Sequence, residues 1–578
     1  MSQLSTEQLK ILEEEVKNGF LLHQQGRIDE AKLIYKKTLE IDPNNLNSLQ
    51  LLGLIFLEEG HLESSVELLQ QALQINPNET NCLINLANAL TRQAKYKEAL
   101  EFYSKATKSN PTLSQAFYGL GLCYDHLCQW ELAISNYSTA INLQPNFIDA
   151  YQNRGACLEE RKEWKRAIEN YDDVIRLDPK YAKAYSNRGN ALKELGLFDE
   201  AIQNISKALE LNPFFAEAHS NLGVLYRDLN QIDKAIQCYD AAIAIDPSYH
   251  SAKFNKSMAL LVSGDLFNGF KEYEWRWESK GFKLGKRSFS KPLWLGEESL
   301  SDRTIFVYYE QGFGDTIQFC RYLIQLSKMA KNVVFEVDSS LFDLMKTLDA
   351  KIDFVPKGSR LPEFDFHIPL LSLPHAFKTC LQDLPIEVNY LKPDPFKVSF
   401  WNEKISIVAT LNKPCIGLVW SGAHITNEDY RSFNERRNIS LEKFQRLSEI
   451  DAYFFSFQKG ERAETELGSL KDSGWNGPEI FDFTSKLKDF SDTAAFLENM
   501  DLLISVDTSC VHLAGAIGKP VWLLNRFDTC WRWMLDRNDS PWYPSLKQYR
   551  QQMILDWDIV INQLVFDLAS KKDSRRFN

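Results

Sequence analysis

The stretch AKAYSNRGNALKELGLFDEAIQNISKALELNPFF, residues 182–215, decides how the first half of the chain reads. It holds small residues at Gly189 and Ala201 and a proline at Pro213. Leucines, isoleucines and aromatics lie between them at helical spacing. Shifted by 34 residues the same pattern returns. Prolines fall at Pro43, Pro77, Pro111, Pro145, Pro179, Pro213 and Pro247. One small column reads Gly19, Gly53, Ala87, Gly121, Gly155, Gly189 and Gly223; a second reads Ala31, Ser65, Ala99, Ala133, Ala167, Ala201 and Ala235. Chance does not put seven prolines in one register. Two antiparallel helices that cross closely need a small residue at the crossing. Proline ends the second helix because it cannot continue the hydrogen-bond ladder.

A 34-residue pair of helices with this Gly/Ala, Ala, Pro order is the tetratricopeptide (TPR) repeat. Repeats are expected at 12–45, 46–79, 80–113, 114–147, 148–181, 182–215 and 216–249, with a degenerate eighth near 250–283, in one superhelix over residues 1–283. The eighth carries Ser257 at the small position and ends in EYEWRW, Glu272 to Trp277. Terminal repeats depart from the pattern because they cap the stack. The aromatics in that ending predict a joint against the next domain. Asn85, Asn153, Asn187, Asn221 and Asn255 stand two residues before the small residue, with Leu51 and Gly119 interrupting the column. On a TPR superhelix this position faces the concave groove, where an amide ladder is expected to hold the backbone of an acceptor protein or peptide. Asparagine is also common at this site in TPR repeats generally.

The chain has 578 residues, 66 basic against 78 acidic, for a net charge of −12. With 44% hydrophobic and 12% aromatic residues it has material for several cores, which excludes a disordered chain. The acidic balance argues against a general nucleic-acid binder. No apolar run approaches the ~20 residues that span a bilayer. The start, MSQLSTEQLKILEEEVKNGF, is polar and acid-rich and reads as neither signal nor transit peptide. Ten scattered cysteines without a C-x-x-C pair predict reduced thiols in a cytoplasmic protein.

After Lys283 the period is lost. A linker, 284–302, leads into a first α/β lobe, 303–395, with the strand TIFVYY (Thr304–Tyr309), the loop EQGFGD, the helical TIQFCRYLIQLSKM, the strand NVVFEVD and a helix from Ser340. The pattern dissolves between Leu384 and Pro414. It restarts in a second lobe, 410–578: CIGLVW (Cys415–Trp420), a helix from Ser440, YFFSFQ (Tyr453–Gln458), a helix from Ser491, LLISV (Leu502–Val506), a helix after Asp507, and VWLL (Val521–Leu524). Continuous β-branched and aromatic runs alternating with helices predict doubly wound parallel sheets. The expected fold class is an all-α TPR solenoid followed by a two-lobed α/β domain, with ligands at the carboxyl ends of the strands.

The stretch DLLISVDTSCVHLAGAIGKPVWLL resembles the donor-phosphate motif of heptosyltransferase-like glycosyltransferases, family 9, of GT-B fold. QGFGDTIQFCRYL resembles the glycine–aspartate loop of that family's first lobe. The resemblance runs from about Thr304 to Tyr549. With the TPR array and EYEWRW, the layout is similar to bacterial TPR–glycosyltransferase fusions and, more distantly, to TPR-bearing protein O-GlcNAc transferases. It implies a double Rossmann-like domain whose first lobe takes the acceptor and whose second takes a nucleotide sugar.

Asp507-Thr508-Ser509 lies between strand LLISV and a helix, so free N–H groups and two hydroxyls make an anion site. His512, one turn inside, is expected to donate to a phosphate oxygen; Asp507 as a plain N-cap and His512 as a core histidine fit as well. The resemblance places Asp507 on the donor sugar. Gly312 and Gly314 let backbone approach the acceptor. The resemblance makes Asp315 the general base, though Asp315-Thr316 also fits a helix cap. In the long loop SGAHITNEDYRSFNERRNIS either Arg436 or Arg437 suits a diphosphate, and the resemblance selects Arg437. Ser421, Gly422, Gln458, Lys459 and Thr493 are candidate donor contacts, each with an ordinary surface reading beside it. CWRWMLDRNDSPWYP (Cys530–Pro544) reads as cleft wall, with Arg532 between two tryptophans. Related proteins carry aspartate where Cys530 stands.

The lone D-x-D, Asp556-Trp557-Asp558, lies in the tail, and the sequence holds no Cys/His cluster, so no metal site or cofactor is expected. Together these imply an inverting, metal-independent glycosyltransferase that uses a nucleotide sugar and an acceptor recruited by the TPR groove. Two alternatives stand beside it: transfer to a lipopolysaccharide-type glycan, and a TPR scaffold with an inactive glycosyltransferase-like domain. Self-association through the repeats is a further expectation.

Overall fold

A computed structural model describes residues 6–279, 286–386, 388–409, 413–422, 435–472, 474–571 and 577. The chain divides into two compact units, Met1–Ala218 and His219–Asn578. The division falls inside the repeat array.

The first unit is an all-helical TPR solenoid. Helices run in pairs from Thr6–Gln24 and Ile28–Ile41 to Ala182–Glu194 and Phe198–Leu211. The crossing argument is met in atoms: a Cβ on Gly121 would stand 2.5 Å from Cε1 of Tyr137. Ala31, Ala99, Ala133, Ala167 and Ala201 of the second column are wholly buried. A third 34-residue column, which the sequence reading did not use, sets the turn inside each pair. Gly26, Gly60, Ala94, Cys128, Lys162 and Gly196 all have φ between 57° and 82°. Only three of these are glycine, so residue type alone does not reveal the column.

The division cuts the helix Ala216–Asp228, and the second unit continues with the repeat helices Ile232–Ile245, His250–Ser263 and Leu266–Tyr273 and the 3-10 turn Glu274–Glu278. In the eighth repeat Ser257 is fully buried, and Gly269 continues the second small column, pressed on Leu261. Ile232, Tyr239, Leu261, Leu266, Phe270 and Tyr273 share one apolar core with Phe319, Trp531 and Trp542 of the α/β region. Of the aromatics in EYEWRW, Tyr273 enters this core, while Trp275 stacks on His250 within the repeat.

Among the described residues, ten strands build two parallel sheets. The first holds β1 (Thr304–Tyr308), β2 (Asn332–Val337), β3 (Asp353–Pro356) and β4 (Phe366–Pro369) in the order β3-β2-β1-β4. The second holds β5 (Cys415–Val419), β6 (Tyr453–Ser456), β7 (Ile480–Asp482), β8 (Leu502–Val506), β9 (Val521–Asn525) and β10 (Leu546–Arg550) in the order β10-β9-β8-β5-β6-β7. The pairings within each sheet are parallel. Each sheet winds outward from its first strand in both directions, so each has a crevice beside that strand.

Several elements differ from the reading. TIQFCRYLIQLSKM is two helices, Phe313–Phe319 and Arg321–Met329. The helix from Ser340 shrinks to Phe342–Met345, and the one from Ser440 is the 3-10 segment Leu441–Glu449. The stretch Leu384–Pro414, read as irregular, contains the helix Pro395–Ser406. Asp394 accepts from the N–H groups of Phe396 (2.8 Å) and Lys397 (3.3 Å). Pro395 sits in the first turn, where its missing N–H costs nothing. β3, β4, β7 and β10 were not expected; β3 and β7 are only four and three residues long.

All ten cysteines are free thiols. Among the described residues no helix is long and apolar enough to cross a membrane.

Candidate functional site

A cavity of about 300 Å³ opens at the carboxyl ends of β5, β6 and β8. This is where the connections of the second sheet part, because β5 lies between β6 and β8. Six of the expected donor residues line it: Ser421, Gln458, Lys459, Thr493, Thr508 and Ser509. Phe313, Phe457 and Phe490 give it an apolar wall, and Lys459 and Lys488 add cationic side chains. Phe313 comes from the helix that follows β1, so the first sheet's side also faces the cavity.

β8 ends in Val506, and the chain turns through Asp507 into the helix Ser509–Ala516, with Thr508 extended at its N-cap (φ −142°). Thr508 Oγ1 and Ser505 Oγ lie 3.1 Å apart. The first turn of this helix, at Ser509 and Cys510, lines the cavity, which turns the positive end of the helix toward it.

Arg437 stands beside this turn and donates from Nη1 to the carbonyl oxygen of Asp507 at 3.3 Å. Its guanidinium fills the space a side chain at residue 422 would need, which accounts for Gly422. Burial pulls Arg437 below the usual arginine range; Asp507 opposes this and Arg526 adds to it. Arg436, the other candidate, pairs with Asp528 at 3.0 Å and Asp228 at 3.6 Å. Residues 423–434 of the long loop lie outside the described residues.

Some expected contacts have other partners. Gln458 was expected at the nucleoside or a phosphate. It is buried, and its Oε1 accepts from the N–H groups of Trp420 (3.2 Å) and Ser421 (2.9 Å), so it ties the end of β6 to the end of β5. Lys459 Nζ donates to the carbonyl oxygen of Leu487 at 2.5 Å, and Thr493 Oγ1 to that of Asp489 at 2.9 Å.

His512 requires a correction. It was expected to donate to a phosphate oxygen, but it does not line the cavity and is only 4% exposed. Its ring stacks on Trp533 (5.1 Å, 24°), its Nδ1 lies 3.0 Å from Tyr543 Oη, and its Cδ2 would be 2.7 Å from a Cβ on Gly314. One turn into the helix, the side chain points at the helix after β1 and not at the anion end. Burial, then the charges of Arg532 and Arg321, hold His512 well below the ordinary imidazole range, so it is neutral. Gly314 is small because His512 occupies the space beside it.

Asp315 meets the helix-cap reading of its sequence. Its Oδ2 accepts from the Gly312 N–H at 3.0 Å, the reach-back of a helix cap. Its Oδ1 forms an ion pair with Arg532 Nη2. Burial works against the charge on Arg532, but Asp315 raises its pKa above the ordinary value. The arginine lies 4.2 Å over Trp531 and donates to Cys530 Sγ at 3.2 Å. Arg532 as the partner of Asp315 was missed. The signal available was an arginine framed by tryptophans, a common way to hold a guanidinium plane.

In the repeats, Asn153 Nδ2 donates to Tyr118 Oη of the preceding repeat at 3.0 Å. Asn187 is buried, while Asn85, Asn221 and Asn255 are half-buried.

Comparison with known proteins bears on the repeats. A family model described as anaphase-promoting complex, cyclosome, subunit 3 matches residues 24–106. The tetratricopeptide-repeat model matches residues 182–215 and 216–249, the same frame as the repeats read from the prolines. A further TPR-repeat model matches residues 158–196. Protein FlbA of Caulobacter vibrioides is 22% identical over 327 residues, 53% of each chain, so this chain spans about half the length of that curated relative. Among solved structures, YrrB, titled a TPR protein with an unusual peptide-binding site, is 27% identical (TM-score 0.28), covering 32% of this chain and 94% of its own. A MamA structure is 28% identical (TM-score 0.27), covering 28% of this chain and 96% of its own.

Proposed function

We propose that the chain is an inverting glycosyltransferase that takes a sugar from a nucleotide-sugar donor and places it on an acceptor, most simply a protein or peptide held by the TPR groove. The observation that carries this is the cavity at the winding crevice of the second sheet. The helix start at Thr508 and Ser509, the hydroxyls of Ser340, Ser421 and Thr493, two lysines and the Asp489 carboxylate meet an aromatic wall there. Such a lining suits an anionic group joined to a flat ring, as in a nucleoside diphosphate. In this reading Asp315 removes the proton from an acceptor hydroxyl, and that oxygen attacks the anomeric carbon in a single displacement. The sugar–phosphate bond breaks, and the helix start at Thr508–Ser509 with Arg437 and Lys459 takes the charge of the leaving diphosphate. Arg532 holds the Asp315 carboxylate in place between turnovers.

The test is a thermal-shift panel of nucleoside diphosphates and nucleotide sugars on the full chain and on Ser509→Tyr and Arg437→Ala variants. Ligand at ~100 Kd adds about 2.7 kcal/mol to the native state. One nucleotide is expected to raise Tm, with the shift lost in Ser509→Tyr and reduced in Arg437→Ala. No shift with any nucleotide at millimolar concentration overturns the reading.

A second reading has its own observation. Both carboxylate oxygens of Asp315 are engaged, by Gly312 and Arg532, as in a structural cap. This favours a TPR scaffold with a non-catalytic α/β domain, which the same panel separates by its failure to bind.

A further inference from the structure

The last repeat ends in EYEWRW, and the first sheet's loop from Glu310 to Gly314 rests on it. Arg276 is fully buried. Its Nε and Nη2 donate to the two carboxylate oxygens of Glu310 at 3.2 and 3.0 Å, Nη2 also to Ser372 Oγ at 2.8 Å, and Nη1 to Glu274 Oε1 at 2.7 Å. Glu310 Oε1 accepts from the Leu371 N–H as well, at 2.9 Å. The next residue, Gln311, has φ +60°, a conformation disfavoured for a residue with a Cβ. Its Nε2 donates to Tyr273 Oη at 2.8 Å. Two consecutive residues are thus gripped, and the chain runs from them through Gly312 to Asp315.

The same helix reaches the other member of the pair. Phe270 packs edge-on against Trp531 at 5.6 Å, and Tyr273 lies 6.5 Å from it. Trp531 precedes Arg532, the partner of Asp315. Further on, the Leu535 N–H donates to the Val262 carbonyl oxygen at 3.3 Å. One repeat therefore touches both the loop that carries Asp315 and the turn that carries Arg532.

We propose that Tyr273 and Arg276 are positioning residues for Asp315: they set the Glu310–Gly314 loop in the conformation that brings Asp315 to Arg532, which makes the end of the TPR array a working part of the catalytic centre. The assignment of Asp315 as base rests on the function proposed above; the grip on the loop does not.

The experiment uses the full chain with Tyr273→Phe, which deletes one oxygen, and Arg276→Lys, which keeps the charge and loses the fork. Hydrogen exchange is followed for the amides of 310–316 and, as internal control, of 509–516. Release of nucleoside diphosphate from the donor selected by the panel is measured from pH 5 to 9. Exchange in 310–316 is expected to rise at least tenfold in Tyr273→Phe with the control unchanged. The kcat is expected to fall at least tenfold with KM for the donor unchanged, and the acidic limb of the kcat profile to move. Unchanged exchange in 310–316, or unchanged kcat and pH profile beside an inactive Asp315→Asn, overturns the proposal. If the wild type binds no nucleotide and releases none, the proposed function falls and the exchange measurement alone decides the grip. Should Arg276→Lys not fold, Tyr273→Phe carries the test.

Discussion

Gly314 and His512 are the residues whose roles the structure most changed. Each looked like part of a ligand site, and each is explained by the other: the imidazole stands where a side chain at 314 would go. Gly314→Ala would place its Cβ 2.7 Å from His512 Cδ2, tighter than packed carbons tolerate. Overpacking of this kind costs about 1–3 kcal/mol, so the full chain should melt lower. Adding His512→Ala should recover part of that loss, and additivity of the two changes would show that the contact is absent. His512 also predicts a pH effect. Its folded pKa is depressed well below 6.5 by burial and by Arg532 and Arg321. The unfolded chain binds the proton first, so stability is fully present above about pH 6.5 and falls as pH drops below it, by up to about 1.4 kcal/mol per unit. Between pH 7.5 and 5.5 the Tm of the wild type should fall more than that of His512→Asn; equal falls would place the titrating group elsewhere.

At the scale of elements, the turn column shows what a periodic sequence hides. Every turn at this position of the first unit needs a left-handed residue, but Ala94, Cys128 and Lys162 hold it without being glycine. A Cβ in that conformation costs ~1–2 kcal/mol, partly offset by the smaller backbone entropy of a non-glycine residue in the unfolded chain. Ala94→Gly should therefore stabilise the array by about 0.5–1 kcal/mol, seen as a higher urea midpoint; a lower midpoint would show that φ here is not strained. The helix Pro395–Ser406 teaches the converse. Its start, Asp394-Pro395, was legible as a cap and first turn, but a proline-rich neighbourhood masked it. The short β3 and β7 offered too few residues for any period to register.

For the molecule as a whole, the boundary matters most. Repeat seven reads like those before it and repeat eight is degenerate, yet helices of both share a core with the α/β region. Asn230 Nδ2 donates to the Phe527 carbonyl oxygen at 2.9 Å, and Asp228 lies 3.6 Å from Arg436. A chain cut to 251–578 loses Ile232, Ala235 and Tyr239 from that core and should fail to melt cooperatively. A chain cut to 219–578 should melt as one unit. Calorimetry of the two fragments decides this; cooperative melting of 251–578 would place the boundary where the repeat pattern alone puts it. The result also governs any truncation meant to separate acceptor recruitment from transfer, because a cut at 250 removes parts of the α/β body with the groove.

The repeats, their frame, and the alternation of strand and helix are properties of the sequence alone. They follow from local spacing: small residues where helices cross, proline where they end, apolar runs where a strand is buried on both faces. The cavity's location was readable to the same extent, since strand ends and helix starts can be marked along a chain. What only the tertiary structure decided is which side chain meets which. Asp315 and Arg532 are 217 positions apart, and Arg276 and Glu310 are 34 apart across the joint of repeat and sheet. No local period carries such pairings. They exist because packing one apolar core brings distant charges to the same place, where each is stable only beside the other.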